Sequence, residues 1–375
     1  MSDVRHVAVV GAGIAGLTAA LAFARRGARV RVYEQAPALA EVGAGLQISP
    51  NGRRVLDALG LANETLDTFH PIEAIELCDG LTAKRVVRMA VDRYKPGFGA
   101  VHRADLVSML YRAAVANGVT FTFDVRPAVE DLGPIGLIIG ADGLHSVFHE
   151  ELNGPSRARF AGQVAWRALI PTEPPRAAVA RVAMGRGKHV VSYPLRGGTM
   201  MNIVAVEERK DWVKEGWSEI GDRSELLARF ADMDADTRAL LSQVTGCHEW
   251  GLFKHPIARK WSDHEKIALI GDAAHPTLPF MAQGANLAIE DAWVLADCVE
   301  RLGRETGLVA YQEKRQARVA RALAAADANA RNYHLRGPIV RRLAHGGLSL
   351  VGAMAPEFLI NRFDWLYGHD VTRGH

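Results

Sequence analysis

The chain has 375 residues, 49% of them hydrophobic and 23% charged, which excludes an intrinsically disordered protein and allows roughly two domains. A net charge of +3, from 45 basic and 42 acidic residues, excludes the concentrated basic surface of a nucleic-acid-binding protein. Three scattered cysteines, Cys78, Cys247 and Cys298, exclude a disulfide framework and point to a reducing, cytoplasmic setting.

Val7 to Ala24 is nearly all apolar, but Gly11, Gly13 and Gly16 interrupt it. It reads as a strand over Val7–Val10, a glycine turn and a helix over Gly16–Arg26 that Gly27 closes, not as a membrane span. No other apolar run approaches the roughly 20 residues a membrane helix needs, so no membrane association is expected. Arg29–Tyr33 is the next strand, with Glu34 at its end, completing a parallel βαβ unit. A glycine-rich stretch from Glu41 leads into a helix over Asn51–Leu59. Antiparallel strands are expected over Ile72–Met89, a helix over His102–Asn117, and strands over Thr120–Phe123 and Leu137–Gly140.

From Arg159 to Glu208 strands dominate: Gly162–Ile170, Val179–Met184, His189–Tyr193 and Met200–Val206, the last two joined by a hairpin over Arg196–Thr199. This pattern predicts an antiparallel sheet inserted into the first module. Ser224–Ser242 reads as helical, Lys266–Ile270 as a short buried strand, and a long helix starts near Gly284. From Leu308 the chain is mostly helical. Arg315, Arg318, Arg321, Arg331, Arg341 and Arg342 recur there among alanines and read as a solvated helix face. His145 and His149 share an i, i+4 spacing but belong to no Cys/His cluster, so no metal is expected.

Gly11-Ala12-Gly13-Ile14-Ala15-Gly16 follows a strand and opens a helix. The first glycine permits the tight turn, the second lets a pyrophosphate approach, and the third brings helix and sheet together. Glu34 is spaced to accept hydrogen bonds from a ribose diol. The turn predicts dinucleotide binding without separating NAD from FAD.

Two later segments separate them. Gly140-Ala141-Asp142-Gly143-Leu144-His145-Ser146 follows a buried strand. Leu269-Ile270-Gly271-Asp272-Ala273-Ala274-His275-Pro276 precedes Gln283-Gly284-Ala285-Asn286. With the glycine turn, the loop from Gly43 to Asn51, the run His102 to Leu106, Ala165-Trp166-Arg167 and Asp364 to Gly368, they resemble the class A flavin-dependent monooxygenases, a family that includes salicylate hydroxylase, 3-hydroxybenzoate 6-hydroxylase and 6-hydroxynicotinate 3-monooxygenase.

The resemblance implies an α/β fold like that of p-hydroxybenzoate hydroxylase: a Rossmann-like FAD-binding domain, an inserted antiparallel substrate sheet and C-terminal helices. The expected parts are FAD-binding at 1–70, 98–160 and 263–310, substrate-binding at 71–97 and 161–262, and helical at 311–375. It implies FAD as cofactor and NAD(P)H as a transient co-substrate. With no second GxGxxG in the sequence, the nicotinamide must visit and leave. Asp272, ending a buried strand, is placed for the ribityl hydroxyls, and a helix starting at Gly284, Ala285 and Asn286 would turn its dipole to the flavin's pyrimidine edge. By resemblance, Arg103 contacts the phosphates, Asp142 supports cofactor and nicotinamide use, and Val125 meets the adenine.

His189 and Tyr193 fall on one face of a strand. The resemblance implies that they bind a phenol oxygen or assist its deprotonation, that Gln47 touches substrate, and that the Pro279 carbonyl lies near the reacting flavin edge. The implied reaction hydroxylates a small phenolic or hydroxy-heteroaromatic acid with O2 through a flavin C4a-hydroperoxide. Two other readings are a monooxygenase of a non-phenolic ring (polyketide, quinolone or purine-like) and a flavin-binding redox or sensor protein without turnover. Phe148 stands where the family pattern expects arginine, and Pro127 to Pro134 replace strands; both bear on NAD(P)H docking. The expected partners are a small aromatic molecule and O2, with no nucleic acid, in a monomer or homodimer.

Overall fold

A computed structural model describes residues 4–39, 44–212 and 219–373. Gly43, which opens the glycine-rich loop motif, lies outside the described residues.

Five short strands form a parallel sheet in the order Ile267–Leu269, Leu137–Gly140, His6–Val10, Arg29–Tyr33 and Thr120–Thr122. Its central strands are unbroken apolar runs because helices cover both faces; Leu137, Ile138 and Ile139 are fully buried. The helix Ile14–Ala24 follows the first strand directly. A Cβ at Gly16 would sit 1.9 Å from the Gly11 carbonyl oxygen, so the third glycine lets the helix rest on the turn. The same helix ends as expected: Gly27 has φ +86°, its N–H reaches Ala24 O at 2.9 Å, and Ala28 N reaches Phe23 O at 3.1 Å.

The inserted sheet has eight strands in the order Ile220–Gly221, Cys247–Lys254, Arg159–Pro171, Met200–Glu208, Lys188–Leu195, Val179–Met184, Ala74–Asp79 and Arg85–Ala90. All neighbours are antiparallel except Val179–Met184 and Ala74–Asp79, which run parallel. One face of this sheet packs on the helices Arg223–Arg229 and Ala235–Ser242, with Trp166 edge-on to Phe230 at 5.7 Å. The other face shares a continuous core with the parallel-sheet domain. A small third sheet, Gly45–Ile48, Phe98–His102 and His70–Ile72, bridges the two.

Several elements differ from the sequence reading. The single helix expected over Ser224–Ser242 is two, because Asp222 and Asp234 each cap a helix start through Ser224 N (2.7 Å) and Thr237 N (3.0 Å). The strands Gly45–Ile48, Phe98–His102 and Cys247–Lys254 were not anticipated. The arginine-rich helices are not simply solvated. Arg315 is 1% exposed and Arg341 is 7% exposed. Arg341 Nη2 donates to Asp79 Oδ1 and to Met184 O, both at 2.7 Å. Arg321, Arg331 and Arg342 are exposed as expected. Among the described residues no helix is long and apolar enough to cross a membrane.

Candidate active site

The glycine turn is shaped by its surroundings at two of its three glycines. Gly11 has φ +105°, and a Cβ there would lie 2.3 Å from the Ala141 carbonyl oxygen. At Gly13 a Cβ would meet nothing within 4 Å, so protein packing does not require this glycine. Gly13 is the N-cap of the helix Ile14–Ala24 and offers no side-chain cap, and Leu17 N is bonded to Gly13 O at 2.9 Å. The amides of Ile14, Ala15 and Gly16 thus form an uncapped N-terminus suited to an anion. Glu34 is half-buried and clasps the turn, accepting from Ala12 N at 2.7 Å and Ala36 N at 2.9 Å. Each carboxylate oxygen keeps a second lone pair for another donor. Val125 N is bonded to the backbone carbonyl of Glu34 at 3.0 Å, which places residue 125 beside the end of the strand Arg29–Tyr33.

The two later motifs abut this turn. A Cβ on Gly11 would come within 3.1 Å of Asp142 Cα, and one on Gly271 within 3.0 Å of Ala15 Cβ. Asp142 Oδ2 accepts from Val147 N at 2.8 Å, while its buried Oδ1 has no partner among the described residues. Burial pushes this carboxyl above its ordinary range. Asp272, on the turn Gly271–Ala273, is exposed to solvent yet desolvated by the protein atoms around it. That desolvation raises its pKa, opposed by His275, Arg103 and His255. Burial likewise lowers the pKa of Arg103, opposed by Asp272, so these two groups lie near each other, and the space between them is the candidate cleft.

The third motif supplies a second helix start. Gln283 precedes the helix Gly284–Leu302 without a side-chain cap, leaving the first-turn amides of Gly284, Ala285 and Asn286 open. Asn286 is fully buried and acts as a staple. Its Nδ2 donates to Ala282 O at 2.7 Å and Gln47 O at 3.1 Å, and its Oδ1 accepts from Ser49 N at 2.9 Å. Gln47 is held beside the helix start in this way, with its side chain half-buried.

Behind that helix lies an ion-pair network absent from the sequence reading. Glu290 pairs with Arg315 at 2.5 Å and Arg318 at 2.7 Å, and Asp291 pairs with Arg315 at 2.7 Å. His275 Nε2 lies 2.5 Å from Asp291 Oδ2, and its ring stacks on Trp261 with centroids 5.1 Å apart. His275 therefore supports the loop from behind.

The inserted sheet turns its opposite wall to this cleft. His189, Val191 and Tyr193 share a face with Val206, Val204 and Asn202 on one neighbour, and through it with Ala165, Arg167 and Leu169. His189 is 2% exposed, with the rings of Phe280 at 5.9 Å and Tyr333 at 5.3 Å. Burial, reinforced by His334, pushes its pKa well below the ordinary imidazole value, so the ring is neutral. Pro279 is exposed next to Phe280, on the loop that closes over His189. Tyr193 is buried and its hydroxyl donates to Gly45 O at 2.7 Å; burial raises its pKa. Gly45 N donates to Asn202 Oδ1 at 2.8 Å, and a Cβ there would lie 2.8 Å from the Tyr193 ring. The glycine loop thus leans on the sheet.

Arg167 had been noted only as part of a motif. Its alternation with His189 and Tyr193 on paired strands is the signal that places it on the same wall. Burial lowers its pKa, and Arg103 lowers it further, so the two cations lie close together. Phe148 needs a correction. It is fully buried, with Gly140 so close that a Cβ there would lie 2.8 Å from Phe148 Cβ. An arginine in that position would have to bury its charge. The neighbouring His149 faces the cofactor loops instead, with Nδ1 2.8 Å from Ala273 O.

A family model described as FAD binding domain matches residues 5–131 and 136–326. The chain is 34% identical to the 3-amino-4-hydroxybenzoate 2-monooxygenase PtnB3 of Streptomyces platensis, over 98% of this chain and 96% of that protein. It is 32% identical to the 3-hydroxybenzoate 6-hydroxylase 1 of Aquipseudomonas alcaligenes, covering 98% of each. The 6-hydroxynicotinate 3-monooxygenase of Pseudomonas fluorescens is 29% identical over 99% of this chain and 96% of that protein. Among solved structures, a salicylate hydroxylase substrate complex superposes with a TM-score of 0.81 at 23% identity, covering 98% of this chain and 96% of that one. The Klebsiella pneumoniae HpxO complex with FAD and uric acid gives 0.82 at 22% identity, covering 96% of each. At such identities these two structures speak for the fold.

Proposed function

The chain belongs to the class A FAD-dependent aromatic monooxygenases, and from that premise we propose that it hydroxylates a small aromatic or heteroaromatic acid that carries a ring hydroxyl. FAD is its cofactor, and it acts as a monooxygenase. The residues present fit FAD: Gly13 leaves approach to the turn open, Asp142 Oδ1 lacks a partner among the described residues, and two helix starts have no side-chain cap among them.

In this reading the amides of Ile14, Ala15 and Gly16 and the Arg103 guanidinium hold the pyrophosphate. Glu34 takes the ribose diol, and Val125 lines the adenine. Asp272 takes the ribityl hydroxyls. The start of the helix Gly284–Leu302 turns its positive end to the flavin's pyrimidine edge. FAD, reduced by NAD(P)H, supplies the dioxygen activation. No domain for the nicotinamide nucleotide is needed if it visits and departs.

The observation that carries the substrate assignment is the neutral, buried His189 on one wall with Tyr193 and Arg167. His189 Nε2 accepts the proton of the ring hydroxyl, which enriches the ring for attack on oxygen. The Tyr193 hydroxyl donates to Gly45 O, and its ring lines the wall beside the substrate. Arg167 stands on the same wall, and a guanidinium there suits a carboxylate. Val191, Val204 and Phe280 exclude water, and Gln47 and Pro279 border the reacting edge.

The test is a panel of 3-hydroxybenzoate, 3-amino-4-hydroxybenzoate and 6-hydroxynicotinate on the FAD-loaded protein. At least one should stimulate oxidation of NADH or NADPH and yield a hydroxylated product, whereas benzoate should not. A yellow protein that oxidises neither nucleotide with any of them would sink this reading.

A further inference from the structure

His189 is not an isolated base. Its Nδ1 lies 2.6 Å from Nε2 of His334, the residue that ends the helix Arg304–Tyr333. His334 is 4% exposed, and its Nδ1 lies 3.2 Å from Glu208 Oε1. Glu208 ends the strand Met200–Glu208 with its side chain 33% exposed, so the chain of contacts runs from a buried ring to solvent in two steps. Arg336 Nε anchors the other carboxylate oxygen at 2.7 Å.

The polarity of the chain follows from its end. A carboxylate only accepts, so His334 presents Nδ1–H to Glu208. Its Nε2 is then a lone pair and must accept from His189 Nδ1–H. His189 Nε2 is left as a lone pair, and no described residue hydrogen-bonds it. The other groups around the pair agree. Tyr333 is a phenol whose pKa burial pushes up to about 12, and it stays neutral. Gln163 Nε2 is placed 3.3 Å from His334 Nδ1, and this polarity requires the amide turned over so that its oxygen faces that N–H. Lys188 points away to Asp232 at 3.0 Å. Burial lowers the pKa of His334, Glu208 raises it and Arg336 lowers it again, so both imidazoles start neutral.

We propose that His189, His334 and Glu208 form a proton relay that connects the substrate pocket to solvent, with His334 as its positioning and transfer residue. The inference rests on the assignment of His189 as the group that takes the ring-hydroxyl proton. The substrate O–H breaks as His189 Nε2–H forms. His189 Nδ1–H breaks as His334 Nε2–H forms, and His334 Nδ1–H breaks as the proton passes to Glu208 and then to water. Each imidazole ends neutral, in its other tautomer, so the pocket never retains a buried positive charge.

Two measurements on the FAD-loaded protein test this separately. The first needs no substrate. With 15N-labelled histidine, nitrogen–proton couplings should report Nδ1–H tautomers for both rings of the hydrogen-bonded pair. An Nε2–H on His334 would reverse the donor, deprive His189 of its free lone pair and overturn the relay. The second uses 3-hydroxybenzoate and 3-amino-4-hydroxybenzoate as probes. His334→Gln should slow product formation at least about tenfold while FAD content and flavin reduction by NAD(P)H persist. Glu208→Gln, at the surface and safe for folding, should move the acid limb of the kcat/KM profile to lower pH, because the carboxylate raises the pKa of the pair. An unmoved limb would count against the relay. If the wild-type protein hydroxylates neither probe, the phenol assignment fails, and the tautomers still decide the relay's polarity.

Discussion

Arg315 lies between two carboxylates, fully enclosed, and its own pKa is raised because Glu290 and Asp291 outweigh the burial that would lower it. For Glu290, burial alone would raise the pKa, but Arg315 and Arg318 reverse this and hold it at about 2 against an ordinary 4.5. A depressed carboxyl contributes stability that is complete above its unfolded pKa and is lost as pH falls through its folded pKa. That window runs from about 4.5 down to about 2 and corresponds to about 3 kcal/mol for Glu290. Urea unfolding measured between pH 6 and pH 3 should show about 2 kcal/mol of that loss, the remainder falling below pH 3. Arg315→Met should cost about 3–5 kcal/mol at neutral pH, because it removes the one cation shared by two buried carboxylates and leaves Glu290 to Arg318 and Asp291 to His275; a variant as stable as the parent would refute the network's role. Little of this was legible in the sequence. Arg315 sits among alanines at helical spacing, as a solvated arginine would. What reverses its reading is the partner helix, whose Glu290 and Asp291 face inward 25 and 24 positions earlier in the chain.

The helix Gly284–Leu302 depends on a strand far from it in sequence. Asn286 reaches Ser49, Gln47 and Ala282, and Gly52 packs so tightly that a Cβ would lie 2.4 Å from Asn286 Oδ1. Asn286→Ala removes three hydrogen bonds of about 1 kcal/mol each. It should lower stability by about 2–3 kcal/mol and release the strand Gly45–Ile48 from the helix start. Thermal unfolding and flavin retention should fall together, and Gly52→Ala should reproduce both. If Asn286→Ala retained its FAD and its melting temperature, the staple would be irrelevant. At this scale the sequence was readable where one rule dominated. Leu137–Gly140 and Arg29–Tyr33 were recognised to the residue, one as an unbroken apolar run and the other by alternation. Gly45–Ile48 was not, because glycine and glutamine carry no strand signal and the pairing with Phe98–His102 supplies it. Cys247–Lys254 was hidden for another reason: Glu249 occupies an inward position, matched 3.2 Å away by Arg209.

For the whole molecule, the cleft lies where three separated stretches of chain meet, and the glycine turn, Asp142, Asp272 and the start of Gly284–Leu302 converge there. The order of motifs made that convergence legible in the sequence. The opposite wall was only half legible: His189 and Tyr193 were found by alternation, whereas Arg167 and His334 needed the strand register and the return of a C-terminal helix. Convergence also predicts how the cofactor couples to stability. FAD bound at about 1,000 times its dissociation constant adds about 4 kcal/mol, or about 5 °C in melting temperature for a chain of this size. Asp272 isolates that contribution. No hydrogen bond holds it among the described residues, and burial raises its pKa more than His275, Arg103 and His255 lower it, so its carboxylate adds no stability to the apoprotein. Asp272→Ala should therefore melt with the wild-type apoprotein yet gain nothing from added FAD, and it should leave gel filtration without flavin absorbance. Glu34 differs, because it also clasps Ala12 and Ala36; Glu34→Ala should lower the melting temperature of the apoprotein as well. Equal apoprotein losses for the two variants, or full flavin retention by Asp272→Ala, would remove Asp272 from the cofactor site.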